Sequence, residues 1–86
     1  MEVNQLILLV KKKIEKNIIT QNILIKDKTF LHINHSSHQS GKFHLEIIIQ
    51  SIELKKYNKI EATKKIYKIL DEEIKKHIHS LQILIN

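Results

Sequence analysis

The chain has 86 residues, no cysteine and a formal net charge of +6, whose positive charges all come from lysine because arginine is absent. These properties predict one small domain, and they exclude a disulfide framework, a cysteine nucleophile and a self-contained thiolate metal site. The lack of arginine also argues against sequence-specific reading of nucleic acid, because arginine is the residue best suited to bidentate contacts with phosphates and base edges.

The first predicted element is a helix over about residues 2–16. Its apolar side chains recur at three- and four-residue steps: Val3, Leu6, Ile7, Val10 and Ile14. The apolar stretch at 6–10 is too short to span a bilayer and lacks the features of a secretory signal. We therefore expect a soluble cytoplasmic protein that makes no membrane contact, or a mitochondrial matrix protein if a transit peptide has been removed.

Two strands are predicted next, on either side of a histidine-rich loop. Residues 22–28 form a short β-branched apolar run bounded by polar residues, which is typical of a strand. Residues 43–49 alternate, with Phe43, Leu45, Ile47 and Ile49 on one side and His44 and Glu46 on the other. A period of two indicates a half-buried strand, so we expect His44 to face solvent.

A long helix and a third strand complete the predicted order. The helix, residues 59–76, carries one apolar stripe: Ile60, Ile66, Tyr67, Leu70 and Ile74. The strand, residues 78–85, places alternate residues from His79 to Ile85 on one face and those from Ile78 to Leu84 on the other. If the second and third strands are neighbours, the helix is a right-handed crossover that makes them parallel. We predict an α+β fold with the helices on one face of a three-stranded mixed sheet.

Five short stretches occur in a particular order along the chain: DKTFLH at 27–32, SGKF at 40–43, IIIQS at 47–51, KKIYKILDEEI at 64–74 and IHSL at 78–81. Together they resemble the BolA family, whose pattern has D-E-S-x-x-H, S-x-x-F, V-S, E-E-L and V-H-A-L at these places. The resemblance implies a single BolA-like domain over residues 1–86 with a type II KH-like fold. Two family elements differ: F-x-G reads Leu54, Lys55, Lys56, and R-H-R reads Ala62, Thr63, Lys64.

The resemblance also implies a function. Members of the family pair with monothiol glutaredoxins around a shared [2Fe-2S] cluster, for which the glutaredoxin and glutathione supply sulfur. By position the family's histidine ligands correspond to His79 and to His32 of the loop, with His35 in reserve. The implied protein is an adaptor in iron-sulfur cluster assembly or transfer, or in iron sensing. It would be monomeric and without cofactor when alone, and heterodimeric with its partner.

The residues themselves leave other readings open. A histidine at the start of a strand is usually a half-buried polar residue, and His77 lies where a charged histidine favours the end of a helix. The lysines keep a KH-like nucleic-acid-binding regulator as the alternative, although there is no G-x-x-G loop, so only weak, salt-sensitive binding is expected. We expect no enzymatic activity, because the consecutive carboxylates at 71–73 point in different directions on a helix and are expected to form a solvated surface.

Overall fold

The computed structural model describes residues 1–31 and 42–86. Its helices and strands follow in the order α1 (Val3–Asn17), β1 (Asn22–Asp27), β2 (Phe43–Gln50), α2 (Lys59–Ile69), α3 (Asp71–Lys76) and β3 (Ile78–Ile85). Short 3₁₀ turns follow the first two strands, at Thr29–Leu31 and Leu54–Lys56. The predicted first helix and all three predicted strands are confirmed to within a residue or two.

The sheet has the predicted mixed topology, with β2 in the centre. β1 pairs with β2 antiparallel and β3 pairs with β2 parallel, so α2 and α3 form the crossover between the two parallel strands. The core lies between the helices and one face of the sheet. Both layers contribute buried side chains, among them Leu6, Val10 and Ile14 from α1, Leu45, Ile47 and Ile49 from β2, and Ile66 from α2.

The long helix predicted over 59–76 is in fact two helices. α2 ends at Ile69, Leu70 takes non-helical angles of φ −99° and ψ 15°, and α3 begins at Asp71. The first turn of α3 carries three carboxylates, which favour the positive end of a helix dipole. The Leu70 side chain is fully buried at the break, so packing holds the junction in place.

The apolar stripe predicted along this segment is also partly wrong. Ile60 is 69% exposed and Tyr67 is 39% exposed, whereas Ala62 takes a place in the core that the stripe did not include. Tyr67 instead donates a hydrogen bond from its hydroxyl to the Leu81 carbonyl, 2.9 Å away, and so fastens α2 to β3. The buried side of α2 is formed by Ala62 and Ile66, which are four residues apart, and Ile60 does not lie on that side of the helix.

The strict alternation predicted for β3 fails at its first two residues. Phe43 pairs with Ile78, but His44 pairs with Ser80, so β3 has one extra residue, His79, at an irregularity in the ladder. Ile78 is therefore 2% exposed and belongs to the core, instead of sharing the face of Ser80 as predicted. A bulge of this kind bends the strand and re-aims a side chain.

The connection between β2 and α2 needs no glycine. The turn Leu54–Lys56 is flanked by Glu53 at φ −60° and Tyr57 at φ −109°, both of which any residue adopts. Leu54 is buried beneath it, and the loss of the F-x-G glycine is thus accommodated by a 3₁₀ turn. Within residues 1–31 and 42–86, no helix combines the length and the apolar character that crossing a membrane requires.

Candidate functional site

The predicted ligand His79 is the second residue of β3 and is partly buried. The other two predicted ligands, His32 and His35, lie outside the described residues, so their role stays a prediction. His77 has the helix-end position expected of it. It is the C-cap of α3, where its N–H donates to the Glu73 carbonyl at 2.8 Å and its carbonyl accepts from Phe43 at 2.9 Å.

His44 is the residue whose predicted environment is wrong. The period-two pattern places it on the sheet face away from the helices, and there it was expected to meet solvent; the structure leaves it only 3% exposed. Two side chains of β3 lie against it and contribute to its burial. Ser80 lies opposite it on β3, and the ring of His79 lies beside it.

The side chain of His44 contacts two residues of β3, His79 and Ser80. The Nδ1 atom of His44 and the Oγ atom of Ser80 are hydrogen-bonded at 2.6 Å. The centroids of the two imidazole rings are 4.9 Å apart and their planes are inclined by 59°. This tilted arrangement is among those that aromatic rings prefer. The predicted ligand therefore has an aromatic neighbour that is itself held in place.

The backbone of His44 is held by the turn that follows β1. Its N–H donates to Thr29 Oγ1 at 3.1 Å, and its carbonyl accepts from Lys28 at 2.7 Å. Thr29 is in turn fixed to Asp27, whose Oδ1 accepts from both the Thr29 N–H and its hydroxyl. Asp27, Lys28 and Thr29 begin the DKTFLH stretch, so this motif has a structural role in supporting His44.

The described residues do not make a complete metal site. In the two stretches that the structure covers, no three His, Cys, Asp or Glu side chains group so as to hold a metal ion. One partly exposed imidazole with a fixed neighbour fits a single ligand to a metal shared with other ligands, since imidazole ligates iron and zinc readily. The remaining ligands would have to come from another molecule or from the histidine-rich loop.

Each of the three carboxylates at 71–73 is engaged in an ion pair. Asp71 pairs with Lys75 and Glu72 with Lys76, both on the surface. The hydrogen bond from Lys76 holds the pKa of Glu72 below its ordinary value. Glu73 is only 4% exposed, and both its oxygens accept from Lys13 of α1, at 2.9 and 3.0 Å.

The same ion pair raises the pKa of Lys13, because the hydrogen bond to Glu73 stabilises its charged form. The expectation of a solvated surface is therefore wrong for Glu73. The sequence offered a signal for its burial, because Glu73 lies three residues after Leu70 and seven after Ile66, on the helical stripe that these two residues bury.

The sequence did offer one usable signal for the contact between His44 and Ser80. Each is a polar residue on the helix-free face of its strand, and the two strands were predicted to be parallel neighbours. Pairing them requires the register, however, and a period of two leaves the register open by even steps. The bulge at His79 shifts the register by one further residue, so the contact emerges only from the structure.

Comparison with known proteins shows which protein family this chain resembles. A family model described as BolA-like protein matches residues 14–86. A curated relative, the DNA-binding transcriptional regulator BolA of Haemophilus influenzae, is 28% identical over 75 residues, which cover 87% of this chain and 70% of the relative.

Solved structures show the same fold. The BolA domain of SufE1 from Arabidopsis thaliana has a TM-score of 0.77 and 22% identity, and the match covers 92% of this chain and 87% of that one. BolA1 from Arabidopsis thaliana has a TM-score of 0.75 and 21% identity over 90% of this chain and 84% of its own. A bol-like protein from Babesia bovis has a TM-score of 0.70 at 10% identity, over 90% and 78% of the two chains.

Proposed function

Because this chain belongs to the BolA-like protein family, we propose that it is an adaptor that binds a monothiol glutaredoxin and contributes His79 to a shared [2Fe-2S] cluster. Its process would be the assembly or transfer of iron-sulfur clusters, or the sensing of iron. The protein would act by binding and presenting a ligand, without catalysing a reaction of its own.

The observation that carries the proposal is the position of His79. It lies in the IHSL stretch that resembles the family's V-H-A-L element, it is partly exposed at the start of β3, and its ring packs against a buried neighbour. An exposed edge lets a second protein approach the imidazole. The buried contact limits the directions in which the ring can point.

The composition of the chain suits a shared cluster better than a private one. The protein contains no cysteine, so thiolate ligands must come from glutaredoxin and glutathione. When bound, the cluster would supply electron transfer or transferable iron and sulfide, and replacing one thiolate by imidazole raises its reduction potential. His79 would supply a neutral nitrogen donor, and His32, or His35 in its place, would supply a second from the loop.

The test is a comparison of two histidines that lie two residues apart. Wild-type protein is mixed with a monothiol glutaredoxin, glutathione, iron and sulfide under anaerobic conditions, and the visible spectrum of the isolated complex is compared with that of glutaredoxin alone. We expect a heterodimer with a different spectrum. His79→Ala should abolish the difference, whereas His77→Ala should preserve it because the C-cap contacts of His77 are made by its backbone. An unchanged spectrum with His79→Ala would refute the ligand assignment.

A second candidate, binding to DNA, is favoured by two observations. The Haemophilus influenzae relative is named a DNA-binding transcriptional regulator, and the turn after β2 together with α2 exposes several lysines: Lys55, Lys56, Lys59, Lys64 and Lys68. Such contacts would be to phosphates, so binding should weaken steeply as salt rises. Replacing Lys55 and Lys56 by alanine should lower the salt slope of binding by roughly two phosphate contacts. Tight, sequence-selective binding at physiological salt would make this the leading function.

A further inference from the structure

We infer that His44 is a positioning residue for His79: its buried ring, hydrogen-bonded to Ser80, holds the His79 imidazole in the orientation from which it ligates metal. The inference rests on the proposed function for the metal itself. It goes beyond that function in assigning a role to two residues, His44 and Ser80, for which neither the V-H-A-L motif nor the loop histidines account.

The first step is the contact between the rings. A centroid separation of 4.9 Å at an inclination of 59° is close packing of one imidazole against the other. Rotation of the His79 ring about its Cβ–Cγ bond would break this contact. His79 therefore has a preferred ring orientation before any metal is present.

The second step is that the neighbour is immobile enough to serve as a support. His44 is 3% exposed, and hydrogen bonds from two segments hold it: Ser80 of β3 at its ring, and the turn after β1 at its N–H (Thr29) and carbonyl (Lys28). A surface side chain without such bonds would move with His79. His44 is instead held by the turn after β1 and by the sheet, so it restrains the His79 ring beside it.

The third step is the bulge in β3. In a regular parallel ladder, His79 would lie opposite His44 and would point, like His44, away from the core. With the bulge, Ser80 takes the place opposite His44, and its hydroxyl comes within reach of the His44 ring. His79 is the extra residue, and its ring remains in contact with the ring of His44.

The physical consequence is pre-organisation of a ligand. A histidine that binds metal from a free rotamer loses side-chain entropy on binding, and neighbours that hold its ring remove part of that cost. Residues that orient a metal ligand without touching the metal typically change metal affinity by about 10–100-fold when they are replaced. We expect an effect of this size for His44→Leu.

The experiment has one arm without metal and one with it. In metal-free, ¹⁵N- and ¹³C-labelled protein at a single pH, we expect nuclear Overhauser contacts between the ring protons of His44 and His79. Ser80→Ala, at an exposed position that the fold tolerates, should weaken these contacts and shift the His79 ring resonances. Ser80→Thr keeps the hydroxyl and should restore them. Gln82→Ala, on the same strand and face, is the matched control and should leave them unchanged.

The loaded arm measures how fast the heterodimer with glutaredoxin loses its cluster to a chelator, and records the electron paramagnetic resonance spectrum of the reduced cluster. His44→Leu should speed cluster loss about tenfold or more and alter the spectrum, Ser80→Ala should do so to a lesser degree, and Ser80→Thr should match wild type. A spectral change together with rescue by threonine separates positioning from a general loss of stability.

The outcomes separate the two claims. If Ser80→Ala and His44→Leu leave the His79 ring signals unchanged in the metal-free protein, the positioning role is wrong, whatever the cluster does. It is also wrong if those signals change but the loaded variants match wild type. If wild-type protein forms no cluster with glutaredoxin, the proposed function fails, and the metal-free spectra still decide whether His44 orients His79.

Discussion

Ser51 offers a sharp test of how the connections of this fold are held, because its side chain is fully buried and hydrogen-bonded twice. Its hydroxyl donates to the Ile19 carbonyl at 2.7 Å, and its Oγ accepts from the Leu54 N–H at 3.1 Å. One serine thus joins the connection between α1 and β1 to the turn that precedes α2. Replacing it by alanine removes both bonds and almost no volume.

The magnitude follows from the two groups left behind. The Leu54 N–H is buried, and a buried donor without a partner costs about 1–3 kcal/mol. Ile19 is an exposed residue, so water can replace the bond to its carbonyl, and the loss there is about 0.5–1 kcal/mol. We expect Ser51→Ala to reduce the free energy of unfolding by about 1.5–4 kcal/mol. For a domain of this size, that lowers the Tm by roughly 6–30 °C.

The assay is urea denaturation followed by circular dichroism, in which the midpoint should fall while the slope m stays constant. Glu53→Ala is the matched control. Its carboxylate accepts from the Ile19 N–H at 3.0 Å in the same connection, but this bond is exposed, so its loss should cost less than about 1 kcal/mol. If Ser51→Ala is no more destabilising than Glu53→Ala, burial of the Leu54 N–H does not govern the energetics of this turn.

Three further predictions concern stability. Ile47→Ala, at a fully buried site on the central strand, should cost about 2–5 kcal/mol by urea denaturation, whereas Ile60→Ala should stay within about 0.5 kcal/mol because Ile60 is exposed; equal costs would contradict the assigned orientation of α2. Asn58→Ala removes the side-chain oxygen that accepts from the third residue of α2 and should cost about 1 kcal/mol, while Asn58→Asp should not, as melting curves would show. Because the pKa of Lys13 is raised in the folded state, its ion pair with Glu73 contributes fully to the stability of the fold below the ordinary lysine pKa of 10.5, and this contribution is lost as pH rises through the folded-state pKa. Lys13→Met should therefore flatten the fall in the free energy of unfolding at alkaline pH. If the fall is unchanged in the variant, another group causes it.

The period-two pattern of β2 was sufficient to predict the strand and its core face, because alternate burial is the direct result of strand geometry. It failed at His44, since burial on the second face depends on which residues lie opposite, and that is set by the register of β3. The prediction of one continuous helix over residues 59–76 failed for a similar reason. Helical periodicity continues through Leu70, and the break between α2 and α3 shows only in the backbone angles of Leu70.

One residue of the candidate site could be predicted from the sequence, and two others could not. The I-H-S-L resemblance led to His79, which the structure places at a partly exposed strand start. His44 and Ser80 could not be chosen from the sequence, because the contact that defines them joins positions 36 residues apart through a bulge. His32 and His35 lie outside the described residues, and their assignment still depends on the resemblance alone.

The parallel pairing of β2 with β3 has a consequence for the order in which the molecule assembles. His44 and Ser80 meet only when β3 docks beside β2, and a pairing between positions 36 residues apart closes slowly compared with the formation of local helices. A chain with β3 undocked would hold His79 away from His44. Contact between the rings of His44 and His79 therefore indicates that β3 has docked and that folding is complete.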